Sequence, residues 1–230
     1  MNIGGLQKTS LLDYPDKISA IIWTIGCNFR CPFCYNTNLV IGTAKKIPEK
    51  EILAFLNKRK GLIEAVVISG GEPLMQNDIE HFLEKIKKLG YAIKVDTNGT
   101  YPNVLQKLLE KKLIDYVSMD VKAPKNKYSR LSGVTTDISK IEKSIEVIKK
   151  FAPHYEFKTT FIPTLLHQKD IIEIAKWLEN AENYYLQKFK DDVPVISSEL
   201  EEVKPYTKQY LEKTIEKVKP YFKQCDIRGV

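Results

Sequence analysis

Short apolar runs alternate along the chain with stretches whose apolar residues recur every three or four positions. The runs at 18–24, 64–69, 91–97, 115–121, 155–162 and 184–189 predict strands. They are near-continuous in apolar residues, the pattern of strands covered by helices on a parallel sheet. Between them, 48–58, 78–89, 102–111, 139–151 and 169–183 predict helices, and 205–218 predicts a last one. Within 78–89, Ile79, Phe82, Leu83 and Ile86 fall on one helical face and charged residues on the rest. Strands alternating with helices imply right-handed parallel β-α-β units, hence an α/β fold with parallel strands and outer helices. An open doubly wound sheet and an incomplete barrel both satisfy that pattern. In either, chemistry gathers at the C-terminal ends of the strands.

The unusual polar motifs do follow the strands. After the first comes Gly26-Cys27-Asn28-Phe29-Arg30-Cys31-Pro32-Phe33-Cys34, a C-x3-C-x2-C spacing. Structural zinc usually takes four ligands, often from paired C-x2-C units. Here the fourth cysteine, Cys225, is distant, and His81, His154 and His167 are scattered. Three thiolates on one short loop can hold three irons of a [4Fe–4S] cube and leave the fourth iron open. Most iron–sulfur proteins use four cysteines per cluster, so three point to chemistry rather than electron transfer alone. Zinc and fortuitous thiols are the other readings of the loop.

Ser69-Gly70-Gly71-Glu72-Pro73 follows the second strand. Read plainly it is a strand-to-helix turn, but glycines also let a backbone approach a ligand closely. Asp96-Thr97-Asn98-Gly99 follows the third, where Asn-Gly alone marks a turn. Alternation sends Asp120 and Lys122 to one face of the fourth strand, and Lys158 and Thr160 to one face of the fifth. An acid and a base on an inner face suit either a buried structural ion pair or a charged ligand.

Composition narrows the class. A chain of 230 residues, 43% hydrophobic, suits one domain with a full core. We expect a single domain over 1–230, with a core at about 18–190 and a helical extension at about 191–230. No apolar run approaches the ~20 residues of a membrane span. Nor does the N-terminus read as a signal peptide, so the expected location is the cytoplasm. The net charge is +7, but the lysines alternate with Glu and apolar residues as on solvated helix faces. No nucleic-acid-reading motif accompanies them, so neither nucleic acid nor membrane is an expected partner. Three clustered cysteines in such a chain point to metal or redox chemistry rather than disulfides.

The C-x3-C-x-aromatic-C pattern, with Phe33 in the aromatic slot, resembles the signature of the radical S-adenosylmethionine superfamily. The resemblance implies an incomplete (β/α)6 barrel and one [4Fe–4S] cluster on Cys27, Cys31 and Cys34. It makes Phe33, Cys34 and Tyr35 contacts of the adenine. It assigns Gly70, Gly71 and Glu72 to the amino group of S-adenosylmethionine. Asp96, Thr97 and Asn98 would lie near the ribose and carboxylate. Lys122 and Lys158 would face the carboxylate, with Asp120 nearby and a monovalent cation near Asp96 and Asp120. Gln187 is a candidate for the cavity wall of the sixth strand.

The opening Gly4-Gly5-Leu6-Gln7-Lys8-Thr9-Ser10-Leu11-Leu12-Asp13-Tyr14-Pro15 is similar to that of glycyl-radical enzyme activating proteins, those of anaerobic ribonucleoside-triphosphate reductase in particular. The implied reaction is reductive cleavage of S-adenosylmethionine to a 5′-deoxyadenosyl radical, which takes hydrogen from a glycine of the partner enzyme. With too few cysteines for further clusters, an external donor such as flavodoxin or ferredoxin is implied. Two rivals are a small-molecule radical enzyme like 7-carboxy-7-deazaguanine synthase and a non-enzymatic iron–sulfur electron carrier. Cys225 reads as a structural thiol, a fourth ligand or a partner-facing thiol. Asp13 and Arg228 are candidates for a partner-docking edge.

Overall fold

The computed structural model describes residues 1–229. Eight strands form one sheet in sequential order: β1 (Ile3–Ser10), β2 (Ser19–Thr24), β3 (Ala65–Gly70), β4 (Ala92–Thr97), β5 (Tyr116–Asp120), β6 (His154–Phe161), β7 (Ala181–Lys188) and β8 (Phe222–Arg228). β1 runs antiparallel to β2, and every later neighbour is parallel. The helices are α1 (Thr37–Ile41), α2 (Glu49–Lys58), α3 (Ile79–Lys88), α4 (Pro102–Glu110), α5 (Tyr128–Ser132), α6 (Ile138–Phe151), α7 (Gln168–Trp177) and α8 (Lys208–Val218). Each parallel crossover carries at least one of them. β1 and β8 do not pair, so the barrel stays open. No helix among the described residues is long and apolar enough to cross a membrane.

The helices form where the sequence periodicity places them. α3 buries Ile79, Phe82, Leu83 and Ile86 on one stripe and collects Lys85, Lys87 and Lys88 at its C-terminal end, where cations suit the helix dipole. α6 starts at Asp137, whose carboxylate accepts from the Ser139 N–H at 3.1 Å. The stripes pack on the outer face of the sheet, against Val66, Ile68, Val95, Val117 and Phe157.

The inner face is where the near-continuous apolar pattern breaks. Tyr14, Ile21, Ala65, Val67 and Tyr116 form a separate small cluster there. Tyr14 comes from the β1–β2 connection, and its ring lies 5.8 Å from that of Tyr116. Beyond this plug, alternation turns Lys94, Asp96, Ser118, Asp120, Glu156 and Lys158 inward.

Two strands lie outside the six that the sequence predicts. β1 is an edge strand with two glycines and exposed polar residues. β8 falls in the 191–230 stretch predicted to be helical; α8 is there, but the chain then returns as a strand along β7. The helix predicted over 169–183 ends at Trp177, because Asn180 turns the backbone left-handed (φ 66°) and β7 begins at Ala181.

Candidate active site

The connection after β2 carries Cys27, Cys31 and Cys34. Local hydrogen bonds shape it: Cys34 N–H donates to the Cys31 carbonyl at 3.1 Å and Phe29 N–H to Cys27 Sγ at 3.4 Å. The Arg30 guanidinium donates to the Cys27 and Phe29 carbonyls at 2.6 and 2.8 Å. The loop is seated on its neighbours by the Glu72 N–H, which donates to the Gly26 carbonyl at 2.8 Å, and the Arg30 N–H, which reaches the Ser132 carbonyl at 2.8 Å.

Gly70 and Gly71 are required by that seating. Gly70 adopts φ +110°, and a Cβ on Gly71 would stand 1.9 Å from the Gly26 carbonyl oxygen. Only a bare backbone lets β3 come this close to the cysteine loop.

All three thiols line one cavity of about 210 Å³ at the C-terminal ends of the strands. Its walls bring together most of the residues singled out in the sequence. Phe33, Tyr35 and Asn36 continue the cysteine loop; Ser69, Gly70 and Gly71 come from β3; Asp96, Thr97 and Asn98 from β4; Asp120 and Lys122 from β5 and beyond; Lys158 and Thr160 from β6; Gln187 from β7. Tyr35 stacks on Phe189 with ring centroids 6.1 Å apart and accepts from the Lys190 N–H at 2.7 Å.

Burial pushes the Cys27 thiol up to about 11 and the Cys31 thiol up to about 12, and raises Cys34 as well. Thiols so buried ionise only beside a cationic partner, which iron provides. Among the described residues no three His, Cys, Asp or Glu side chains converge on one point, as ligands of a single ion would. A cube asks for something else, one thiolate at each of three corners, and Cys27, Cys31 and Cys34 all line the same cavity.

Opposite the thiols lies a charged group. Lys122 Nζ is 3.4 Å from Asp120 Oδ1 and 5.8 Å from the centre of the Phe33 ring. Burial opposes its ammonium, but Asp120 and the three thiols outweigh that and raise its pKa above the ordinary lysine value. Lys158 is raised in the same way: burial lowers it, and Asp120, Asp96 and Glu156 more than compensate. Lys158 Nζ lies 3.7 Å from Asp96 Oδ2 and 3.8 Å from Asp120 Oδ2. The interval where the sequence predicts a monovalent cation therefore holds a lysine ammonium. Asp96 Oδ2 also accepts from Ser69 Oγ at 2.9 Å, while its buried Oδ1 has no hydrogen-bond partner among the described residues.

Glu72 departs from the role predicted for it. It is fully buried and absent from the cavity wall. Its Oε1 accepts from Leu74 N–H at 3.0 Å and Thr97 Oγ1 at 2.8 Å, and its Oε2 from Asn98 N–H at 2.7 Å. With both oxygens occupied, the carboxylate braces the loops after β3 and β4, while Gly70 and Gly71 line the cavity. Burial pushes its carboxyl up to about 7 despite these donors. The same bond occupies the Thr97 hydroxyl.

Other residues separate from the site. Cys225 sits opposite Tyr184 on the helix-facing side of β8, so it is no fourth ligand of the loop. Arg228 turns its guanidinium into the barrel. It grips Glu156 with two bonds of 2.8 Å and lies 3.5 Å above the Tyr185 ring. Asp13 caps Ser10 in the β1–β2 connection. Glu156 also takes Tyr116 Oη at 3.0 Å, Ser118 Oγ at 2.8 Å and Lys94 Nζ at 3.3 Å. Nothing in the sequence marks this buried hub except a Glu between apolar residues on a predicted inner strand.

An open parallel barrel with three thiols and two lysines around a cavity at its C-terminal end defines a class. The chain belongs to the Radical SAM superfamily, whose profile matches residues 21–179. Among its relatives is a protein of Methanocaldococcus jannaschii with the provisional name glycyl-radical enzyme activating enzyme MJ1227. The two are 36% identical over 193 residues, 82% of this chain and 80% of that protein. The 7-carboxy-7-deazaguanine synthase of Aquifex aeolicus is 30% identical over 82 residues, 36% of each chain. In fold, the chain is similar to Streptococcus suis SuiB in its complex with S-adenosylmethionine, with a TM-score of 0.66 at 20% identity. That likeness covers 89% of this chain and 48% of SuiB, so the chain spans about half of SuiB's length.

Proposed function

We propose that this chain activates a glycyl-radical enzyme, generating the radical by reductive cleavage of S-adenosylmethionine at a cluster held by Cys27, Cys31 and Cys34. The observation that carries the reading is one cavity lined together by the three cysteines, Lys122, Lys158 and the Gly70–Gly71 backbone. When bound, the cluster would supply the electron that splits S-adenosylmethionine into methionine and a 5′-deoxyadenosyl radical.

The chain's own residues would bind, orient and exclude water. The Gly70 and Gly71 carbonyls accept the methionine ammonium, since an ammonium needs acceptors and Glu72 is committed elsewhere. Lys122 and Lys158 meet the carboxylate as fixed cations. Asp96, on the cavity wall, offers its carboxylate to a ribose hydroxyl. Phe33, Cys34 and Tyr35 form the wall for the adenine. Asp120 holds both lysines at their posts, and Thr97 and Asn98 shape the loop behind Asp96. Lys158 does the electrostatic work of the expected monovalent cation, so no separate ion is needed.

The partner we propose is anaerobic ribonucleoside-triphosphate reductase. The Gly4–Pro15 motif supports it, and the long match to MJ1227 supports glycyl-radical activation in general. The match to 7-carboxy-7-deazaguanine synthase spans a much smaller share of the chain, and the Gln-Gly-Glu-Gly opening typical of those enzymes is absent from the sequence. With a single cysteine outside the loop, the electron would come from a separate carrier such as flavodoxin or ferredoxin. Four unpaired cysteines suit a reducing cytoplasm. The test is anaerobic incubation with the reductase, S-adenosylmethionine and a reductant. A glycyl doublet in the EPR spectrum of the reductase is expected; 5′-deoxyadenosine release without it would remove this partner.

A further inference from the structure

A closed ring of side-chain hydrogen bonds joins the cysteine loop to the connection after β4. Its members are Asn28, Asn98 and Thr100, and the direction of each bond is determined. The Thr100 backbone N–H can only donate, and it reaches Asn98 Oδ1 at 3.0 Å. The amide oxygen of Asn98 therefore faces Thr100 and its nitrogen faces the other way. The Thr100 hydroxyl spends its one proton on the same Oδ1 at 2.6 Å, so it accepts from Asn28 Nδ2 at 2.9 Å. Asn28 is thereby oriented with its Oδ1 toward Asn98 Nδ2, also at 2.9 Å. One hydrogen of Asn98 Nδ2 remains, and Cys27 Sγ lies 3.9 Å from that nitrogen.

The Asn98 backbone is held as firmly, because its N–H donates to the fully buried Glu72. Asn98 is itself only 6% exposed. Its amide oxygen and both amide hydrogens are thus engaged, which leaves the side chain no free donor for a cofactor in the cavity. What the amide does offer is a fixed N–H dipole aimed at one sulfur from a buried position, where such a dipole acts strongly.

We propose that Asn98 is a positioning residue whose side-chain amide donates an N–H···S hydrogen bond to the Cys27 thiolate and thereby raises the reduction potential of the cluster bound there. The proposal rests on Cys27 being a cluster ligand. Adding an electron increases negative charge on the ligand sulfurs, and a hydrogen bond to sulfur favours that reduced form.

The test is an EPR-monitored redox titration of the reconstituted full chain, without S-adenosylmethionine, for wild type, Asn98→Leu and Asn98→Asp. At a fixed potential the reduced-to-oxidised ratio of Asn98→Leu should fall about tenfold, equivalent to a shift of about 59 mV for a one-electron couple. Asn98→Asp keeps the shape but replaces the donor with an acceptor, so its ratio should fall at least as far. Thr100→Val loosens the ring while leaving the donor in place, and should give a smaller fall. A cluster that assembles in Asn98→Leu or Asn98→Asp at the wild-type potential overturns the proposal. If Asn98→Leu takes up no iron, Asn98→Asp decides. Failure of the wild type itself to bind iron and sulfide would instead overturn the cluster reading beneath it.

Discussion

At the residue scale, Lys158 shows how a side chain can take over an expected ligand's place. Its ammonium lies between Asp96 and Asp120, under 4 Å from each. Replacing it with Met should cost about 2 kcal/mol of S-adenosylmethionine affinity, about 30-fold in Kd, the scale of one charge-assisted hydrogen bond. It should also leave two carboxylates facing each other, so that potassium restores part of the binding in Lys158→Met and has no effect on the wild type. Equilibrium binding with and without potassium checks both. The cysteines, the paired glycines and the inward Asp and Lys residues were legible in the sequence because each carries its chemistry in its type and spacing. The brace at Glu72 and the Asn28–Asn98–Thr100 ring were not, since they depend on loops 25 and about 70 positions apart meeting in space.

At the element scale, the six inner parallel strands were legible and the two edges were not. Buried strands must be apolar on the helix-facing side, which leaves a readable run. Ile3–Ser10 and Phe222–Arg228 are half exposed and mix polar with apolar residues, and pairing with β2 and β7 decides their conformation. β8 is tied to the barrel by Arg228 on Glu156. Arg228→Ala should destabilise the fold by about 2 kcal/mol, less than the loss of a wholly buried ion pair because Arg228 is partly exposed. Burial alone would raise the Glu156 carboxyl, but Arg228 and Lys94 hold it well below the usual value of 4.5. A depressed carboxylate adds stability above its unfolded pKa and loses it as the folded form protonates. The gap between wild type and Arg228→Ala in urea unfolding should therefore be full at neutral pH and shrink as pH falls below 4.5.

At the scale of the whole molecule, the barrel interior is graded along its axis. An apolar plug built on Tyr14 and Tyr116 closes the end at which the strands begin. The Lys94–Glu156–Arg228 group fills the middle, and the cavity opens above it, beneath the cysteine loop. This grading lets one small fold hold a charged pocket on one side and a firm core on the other. The sequence already placed the chemistry at the C-terminal ends of the strands; it could not show that the opposite end is stoppered by the connection between the first two strands. The most direct test of the central claim is 5′-deoxyadenosine release from S-adenosylmethionine by the anaerobically reconstituted, chemically reduced full chain. Release by the wild type, and its loss in Cys31→Ser with the fold intact by circular dichroism, is the predicted result. Equal release by wild type and Cys31→Ser, or none from a wild type carrying its iron and sulfide, would contradict it.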